Sequence, residues 1–71
     1  MIERQAVRSR DIAVVGYDPD QAVLEITFRQ GGVYQYAGVP LEIHRDLIGA
    51  ASHGTYFNRN IKEKYSCIKL R

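Results

Sequence analysis

The sequence predicts an α+β, two-layer domain: a three-stranded antiparallel meander with two C-terminal helices on one face, and a short final strand left open. Three observations carry this. Residues 12–37 fall into short β-branched and aromatic runs separated by turn residues. Residues 41–61 switch to an apolar repeat of three to four. Finally, 71 residues give room for one core only, because a chain of this size buries about 60% of its unfolded surface.

The first strand is Ile12-Ala13-Val14-Val15-Gly16-Tyr17, rich in β-branched residues that fit a pleated sheet. Asp18-Pro19-Asp20 closes it, with proline fixing φ and the aspartates able to bond nearby amides. In Ala22–Arg29, Leu24, Ile26 and Phe28 alternate with Val23, Glu25, Thr27 and Arg29, the pattern of a half-buried strand. Gln30-Gly31-Gly32 turns the chain into a third strand, Val33–Ala37, whose tyrosines Tyr34 and Tyr36 share a face. Gly38-Val39-Pro40 ends the sheet, and Pro40 suits a first helical turn. Glu42 favours the positive end of that helix. Ile43, Leu47, Ala50 and Ala51 form its apolar stripe, with Leu41 and Ile48 flanking and Gly49 weakening its end. Ser52 is the expected N-cap of a second helix, in which Phe57, Ile61 and Tyr65 recur every four residues and form one buried face. Cys67–Leu70 is the extended end. The expected core is Val14, Leu24, Ile26, Phe28, Ile43, Leu47, Phe57 and Ile61.

A composition of 45% hydrophobic and 25% charged residues is too apolar for disorder and too polar for a membrane span. Met1–Arg10 has no apolar core segment, so neither a signal peptide nor a membrane anchor is expected there. The single cysteine, Cys67, has no internal partner, which fits a reducing cytoplasm. Charge is unevenly placed. Residues 1–10 carry three arginines against one glutamate, and residues 59–71 carry five cations against Glu63. Between them lie six carboxylates against two arginines. Basic ends brought together by folding would make a cationic surface whose natural partner is a phosphate backbone; kept apart, they are a solubilising fringe.

A set of residues carries a resemblance: Val15-Gly16-Tyr17-Asp18; Phe28-x-x-Gly31-Gly32-x-Tyr34-x-Tyr36; Val39-Pro40; and Ala51-Ser52-x-Gly54-x-Tyr56-Phe57-Asn58-x-x-Ile61. This pattern resembles the KTSC domain family over about residues 8–65. The family takes its name from the C-terminal extension of some lysyl-tRNA synthetases and also occurs as short stand-alone bacterial proteins. The resemblance implies one KTSC-like domain over residues 1–71, with no catalytic residues to carry over, and it hints at RNA as the partner.

Tyr34 and Tyr36 are the first candidates, because aromatics exposed on a sheet stack nucleic-acid bases. The turn decides their placement. A three-residue loop at Arg29-Gln30-Gly31 puts Ile26 opposite Tyr34 and Leu24 opposite Tyr36, on the apolar face. A two-residue loop at Gln30-Gly31 puts the rings beside Thr27 and Glu25 in solvent. A glycine in third place favours the first pairing. The second candidate is the Ser52–Asn58 segment, where Ser52, Gly54 and Asn58 sit at a helix start suited to an anion, with Arg59 and Lys62 following. Plain capping explains Ser52 equally well, and explains Asn58 poorly.

His44, His53 and Cys67 match no zinc spacing, and both histidines read as surface residues, so no metal and no cofactor is expected. No nucleophile elbow or phosphate loop is present, and an enzyme is not expected. The expectation is a non-catalytic binding module for RNA, with Arg8, Arg10, Arg59, Lys62 and Lys64 on phosphate and Tyr34 or Tyr36 with Asn58 on base or sugar. The alternative is a protein-interaction module using a bare sheet edge, with Ser66–Leu70 pairing to a second copy as a homodimer.

Overall fold

The computed structural model describes residues 2–71. Its elements are β1 (Glu3–Ala6), β2 (Ile12–Asp18), β3 (Val23–Phe28), β4 (Val33–Tyr36), α1 (Leu41–Gly49), α2 (His53–Asn60) and β5 (Cys67–Lys69). All strands join one antiparallel sheet of five in the order β1-β2-β3-β4-β5. The expected meander is its centre, β2 to β4, and each edge gains a strand. The terminal segment adds β5, and β1 was not foreseen. Glu3-Arg4-Gln5-Ala6 has no apolar alternation, and all four residues are exposed. It is a strand because β2 offers it a ladder, from Glu3 opposite Tyr17 to Ala6 opposite Val14.

The β3–β4 turn is the three-residue loop. Phe28 N–H donates to the Gly32 carbonyl at 3.1 Å and Gly31 N–H to the Phe28 carbonyl at 3.0 Å. Gly31 has φ +100°, a conformation L side chains resist. Ile26 therefore faces Tyr34, and Leu24 faces Tyr36. Both tyrosines lie on the apolar face, as this loop requires.

Strand β2 departs from a simple alternation. Ile12 pairs with Phe28 but Val14 pairs with Thr27, so the register shifts across Ala13. Such a bulge moves every following side chain to the other face. Ile12, Val15 and Tyr17 are buried and Val14 is only partly so, which corrects the placement of Val14 in the core. The core unites Ile12, Val15, Tyr17, Leu24, Ile26, Tyr36, Val39, Leu47, Phe57 and Ile61. Phe28 and Ile43, expected inside, pack against it while partly buried.

Two polar ties hold the layers. The buried Tyr17 hydroxyl donates to the Val39 carbonyl at 2.6 Å, and Val39 N–H donates to the Ala22 carbonyl at 2.9 Å. Together they pin the segment that feeds α1. On the sheet's outer face Arg4 reaches across Gly16 to Glu25, Nε to Oε2 at 2.8 Å, and Gln35 donates to the same carboxylate at 3.1 Å. A Cβ at Gly16 would come within 2.8 Å of Ile2 and 3.1 Å of Arg4, so glycine is what lets β1 lie flat there.

Pro40 is the N-cap of α1, one residue before the first turn. Ser52 caps α2 as expected, its hydroxyl accepting from Thr55 N–H at 3.2 Å. α2 is shorter than the four-residue recurrence suggests. It stops at Asn60, Ile61 is its buried C-cap, and Tyr65 lies past it in the turns leading to β5. The return to β4 outweighs local helical periodicity. Neither histidine is a free surface residue. His44 stacks on Tyr17 with centroids 4.7 Å apart, and His53 Nδ1 donates to the Leu47 carbonyl at 2.8 Å.

Candidate functional site

Most of the residues singled out from the sequence gather around two adjoining hollows. The first is a groove of about 520 Å³, lined by Phe28, Tyr34, Tyr36 and Phe57 with Asn58 and Lys62 at its side. Its aromatic wall is built from β3, β4 and α2. Phe28 meets Tyr34 edge-on at 5.6 Å and Phe57 at 5.6 Å, while Tyr36 meets Phe57 at 5.5 Å. Tyr36 is 4% exposed and serves as floor. Tyr34 is partly buried, and Lys69 Nζ stands 5.9 Å from its ring centroid. Of the two rings, Tyr34 is the more exposed.

The second hollow, about 380 Å³, is lined by Arg8, Arg10, Ser52, Gly54 and Asn58 among others. It lies between the β1–β2 connection and the start of α2. The two hollows share Asp11 and Asn58. Asn58 stands one helical turn beyond Gly54, so both are on one side of α2. Asp11 Oδ2 lies 3.3 Å from where a Gly54 Cβ would be, which brings a carboxylate against the first turn of that helix.

Arg8, Arg10, Tyr34, Tyr36, Ser52, Asn58 and Lys62 are thus brought together. Arg59 and Lys64 are exposed near the end of α2 but line neither hollow. Sequence reading missed Asp11 and Phe28 as lining residues, and Lys69 as the cation beside the Tyr34 ring. Lys69 enters because β5 places it opposite Tyr34, a pairing across two helices that no local pattern announces. Asp11 has a local signal, next to the β-run after a basic stretch, but nothing in it points to α2.

Burial pushes the Tyr36 hydroxyl up to about 12, with Cys67 and Tyr34 adding to the effect, so it stays a neutral phenol at ordinary pH. Burial lowers the His44 value, and His44 lies in a separate small hollow beside Glu3 and Tyr17. The groove therefore offers aromatic surface, an amide, a carboxylate and one lining cation, Lys62. Among the described residues no group of three His, Cys, Asp or Glu is placed to hold a metal. None of the described helices is long and apolar enough to cross a membrane.

Residues 8–65 match the KTSC domain. A crystal structure of a KTSC domain protein from Yersinia pestis superposes with a TM-score of 0.96 at 45% identity, covering 100% of both chains. An uncharacterised protein of Stutzerimonas stutzeri is 38% identical over 64 residues, 90% of each chain. A lysine–tRNA ligase of Nostoc is 37% identical over 54 residues, which are 76% of this chain and 10% of the ligase.

Proposed function

The chain belongs to the KTSC domain family, and from that premise we propose that it is a non-catalytic module that binds RNA of a structured, tRNA-like kind. The observation that carries the reading is convergence: Arg8 and Arg10 from one end of the chain, and Lys62 from the other, line hollows that share Asn58. Phosphates meet Arg8, Arg10 and Lys62, with Arg59 and Lys64 extending the cationic margin. An unstacked base lies against Tyr34, where stacking contributes about 1–3 kcal/mol. The relative named as a lysine–tRNA ligase fits a module of this kind.

The test is an NMR titration of isotope-labelled protein with total tRNA and, separately, with polyglutamate. Shifts confined to residues 8–11, 34–36, 52–58 and 62 with tRNA alone support the reading. Affinity falls steeply between about 50 and 200 mM salt as counterions are released. A flat salt response, or equal shifts with both polymers, removes it.

One observation favours a second reading. Ile68 and Leu70 on and beside β5 are 65% and 48% exposed, next to an outer edge that carries no further strand among the described residues. Ser66–Leu70 is not free as a whole, since β5 pairs with β4 within the chain. Its far edge is what a second copy would use. Sedimentation that shows a dimer in wild type and a monomer in Ile68→Lys supports that reading, and a monomer throughout ends it.

A further inference from the structure

The RNA reading leaves one residue unexplained, and that residue points to a base. Asp11 stands at the junction of both hollows, where phosphates would gather, yet it is an anion. We infer that the aromatic groove takes an unstacked guanine, whose Watson–Crick edge is held by the Asp11 carboxylate with Asn58 beside it. The inference rests on the RNA reading and deepens it.

Three observations support it. First, the main chain at Asp11 is held while its carboxylate is left unpaired. Its N–H donates to Ser9 Oγ at 3.3 Å and its carbonyl accepts from Arg29 N–H at 2.8 Å. Its carboxylate has no hydrogen-bond or ion-pair partner among the described residues. Second, a carboxylate is acceptor-only, with two oxygens side by side. Guanine offers two adjacent donors on that edge, N1–H and the 2-amino group. Adenine and cytosine set an acceptor beside their amino donor, and uracil sets its single N–H between two carbonyls. A carboxylate therefore satisfies guanine and repels part of each other base. Third, Asn58 has an amide donor on the same side of α2 as Gly54, which Asp11 abuts, and guanine presents O6 next to N1–H. The groove's volume of about 520 Å³ accommodates a nucleoside against Tyr34 and Phe28.

The experiment uses the full chain, wild type and Asp11→Asn, titrated by NMR with the pentanucleotides UUGUU, UUAUU, UUCUU, UUUUU and UUIUU, and with total tRNA. The guanine oligomer binds about tenfold tighter than the adenine one, the scale of one bidentate base contact. Inosine, which lacks the 2-amino group, falls between them. In Asp11→Asn the guanine-to-adenine ratio shrinks to within about twofold, because the amide replaces one acceptor by a donor. Asp11 is exposed, and thermal melting checks that the variant folds. Equal affinity for all oligomers, or a preference that survives Asp11→Asn, overturns the guanine assignment while RNA binding stands. Binding of tRNA with none of the oligomers overturns it too. No binding of any nucleic acid removes the RNA reading and this one with it.

Discussion

Tyr17→Phe removes one oxygen atom and tests how the helical layer is fastened to the sheet. The hydroxyl it deletes donates to the Val39 carbonyl at 2.6 Å. Tyr17 is 4% exposed and Val39 is fully buried, so water does not readily replace the donor. A hydrogen bond contributes about 0.5–1.5 kcal/mol net, and leaving a buried acceptor unsatisfied costs about 1–3 kcal/mol. A loss of about 1.5 kcal/mol is expected. For a domain of this size each kcal/mol moves the melting temperature by about 4–8 °C, so Tm falls by about 6–12 °C. The ring keeps its stack on His44, which isolates the hydroxyl from the packing. The control is Tyr34→Phe, whose hydroxyl makes no hydrogen bond among those described. That change belongs with substitutions worth about ±0.5 kcal/mol. Melting is followed by far-ultraviolet circular dichroism. If Tyr17→Phe melts within the range of Tyr34→Phe, the clamp on Val39 is not holding the linker, and the account of how α1 is seated is wrong.

Three further predictions follow from the same contacts. The Arg4 guanidinium, hydrogen-bonded to Glu25 with Gln35 also contributing, holds the Glu25 carboxyl below its ordinary range despite burial. The unfolded chain then takes up this proton first as pH falls, so the stability it contributes is present above about pH 4 and lost below it; urea midpoints measured against pH should decline less steeply in Glu25→Gln than in wild type. Ala22 has φ 56°, a left-handed conformation that costs an L residue about 1–2 kcal/mol. Glycine loses about 0.5–1 kcal/mol of that gain to chain entropy, so Ala22→Gly should raise Tm by up to several degrees, and a lower Tm contradicts the strain. Gly16→Ala pushes a methyl into Ile2 and Arg4. With overpacking at the low end of about 1–3 kcal/mol, amide exchange in β1 should speed up about tenfold while β3 stays protected. Equal protection of β1 in both proteins would show that the contact is relieved cheaply.

Much of the fold can be read from local chemistry. The β3–β4 register follows from a glycine in third place of the loop. The aspartate turn follows from side-chain acceptance, with Asp18 Oδ1 taking Asp20 N–H at 3.0 Å. The Ser52 cap is equally local. The errors share a cause, which is contact between residues distant in sequence. A bulge at Ala13 cannot be seen in a run of four apolar residues, because either face of Ile12–Val15 looks fit for the core. β1 is three polar residues and an alanine, all exposed, that become a strand when β2 lies alongside, and the sign of its partnership, Glu25 on the outer face of β3, needs Arg4 to be brought from 21 residues away. The end of α2 yields to the path of β5.

The candidate site divides the same way. Tyr34, Asn58 and Lys62 are visible as types suited to nucleic acid, and the Arg8 and Arg10 pair as charge. What the sequence hides is that one aspartate stands among them. Asp11 belongs to the acidic middle of the chain by count, and its meaning comes from the approach of Gly54.

The position of β5 has a consequence for how the chain acquires its structure. The ladders from β1 to β4 join neighbours in sequence and can close as each hairpin forms. The β4–β5 ladder closes a loop that includes both helices, at a larger entropy cost. It is therefore expected to be the last step, leaving the outer edge of Val33–Tyr36 unpaired beforehand. During synthesis that bare ladder, beside a half-assembled aromatic wall, is where an unfinished molecule would be most prone to adhere to another.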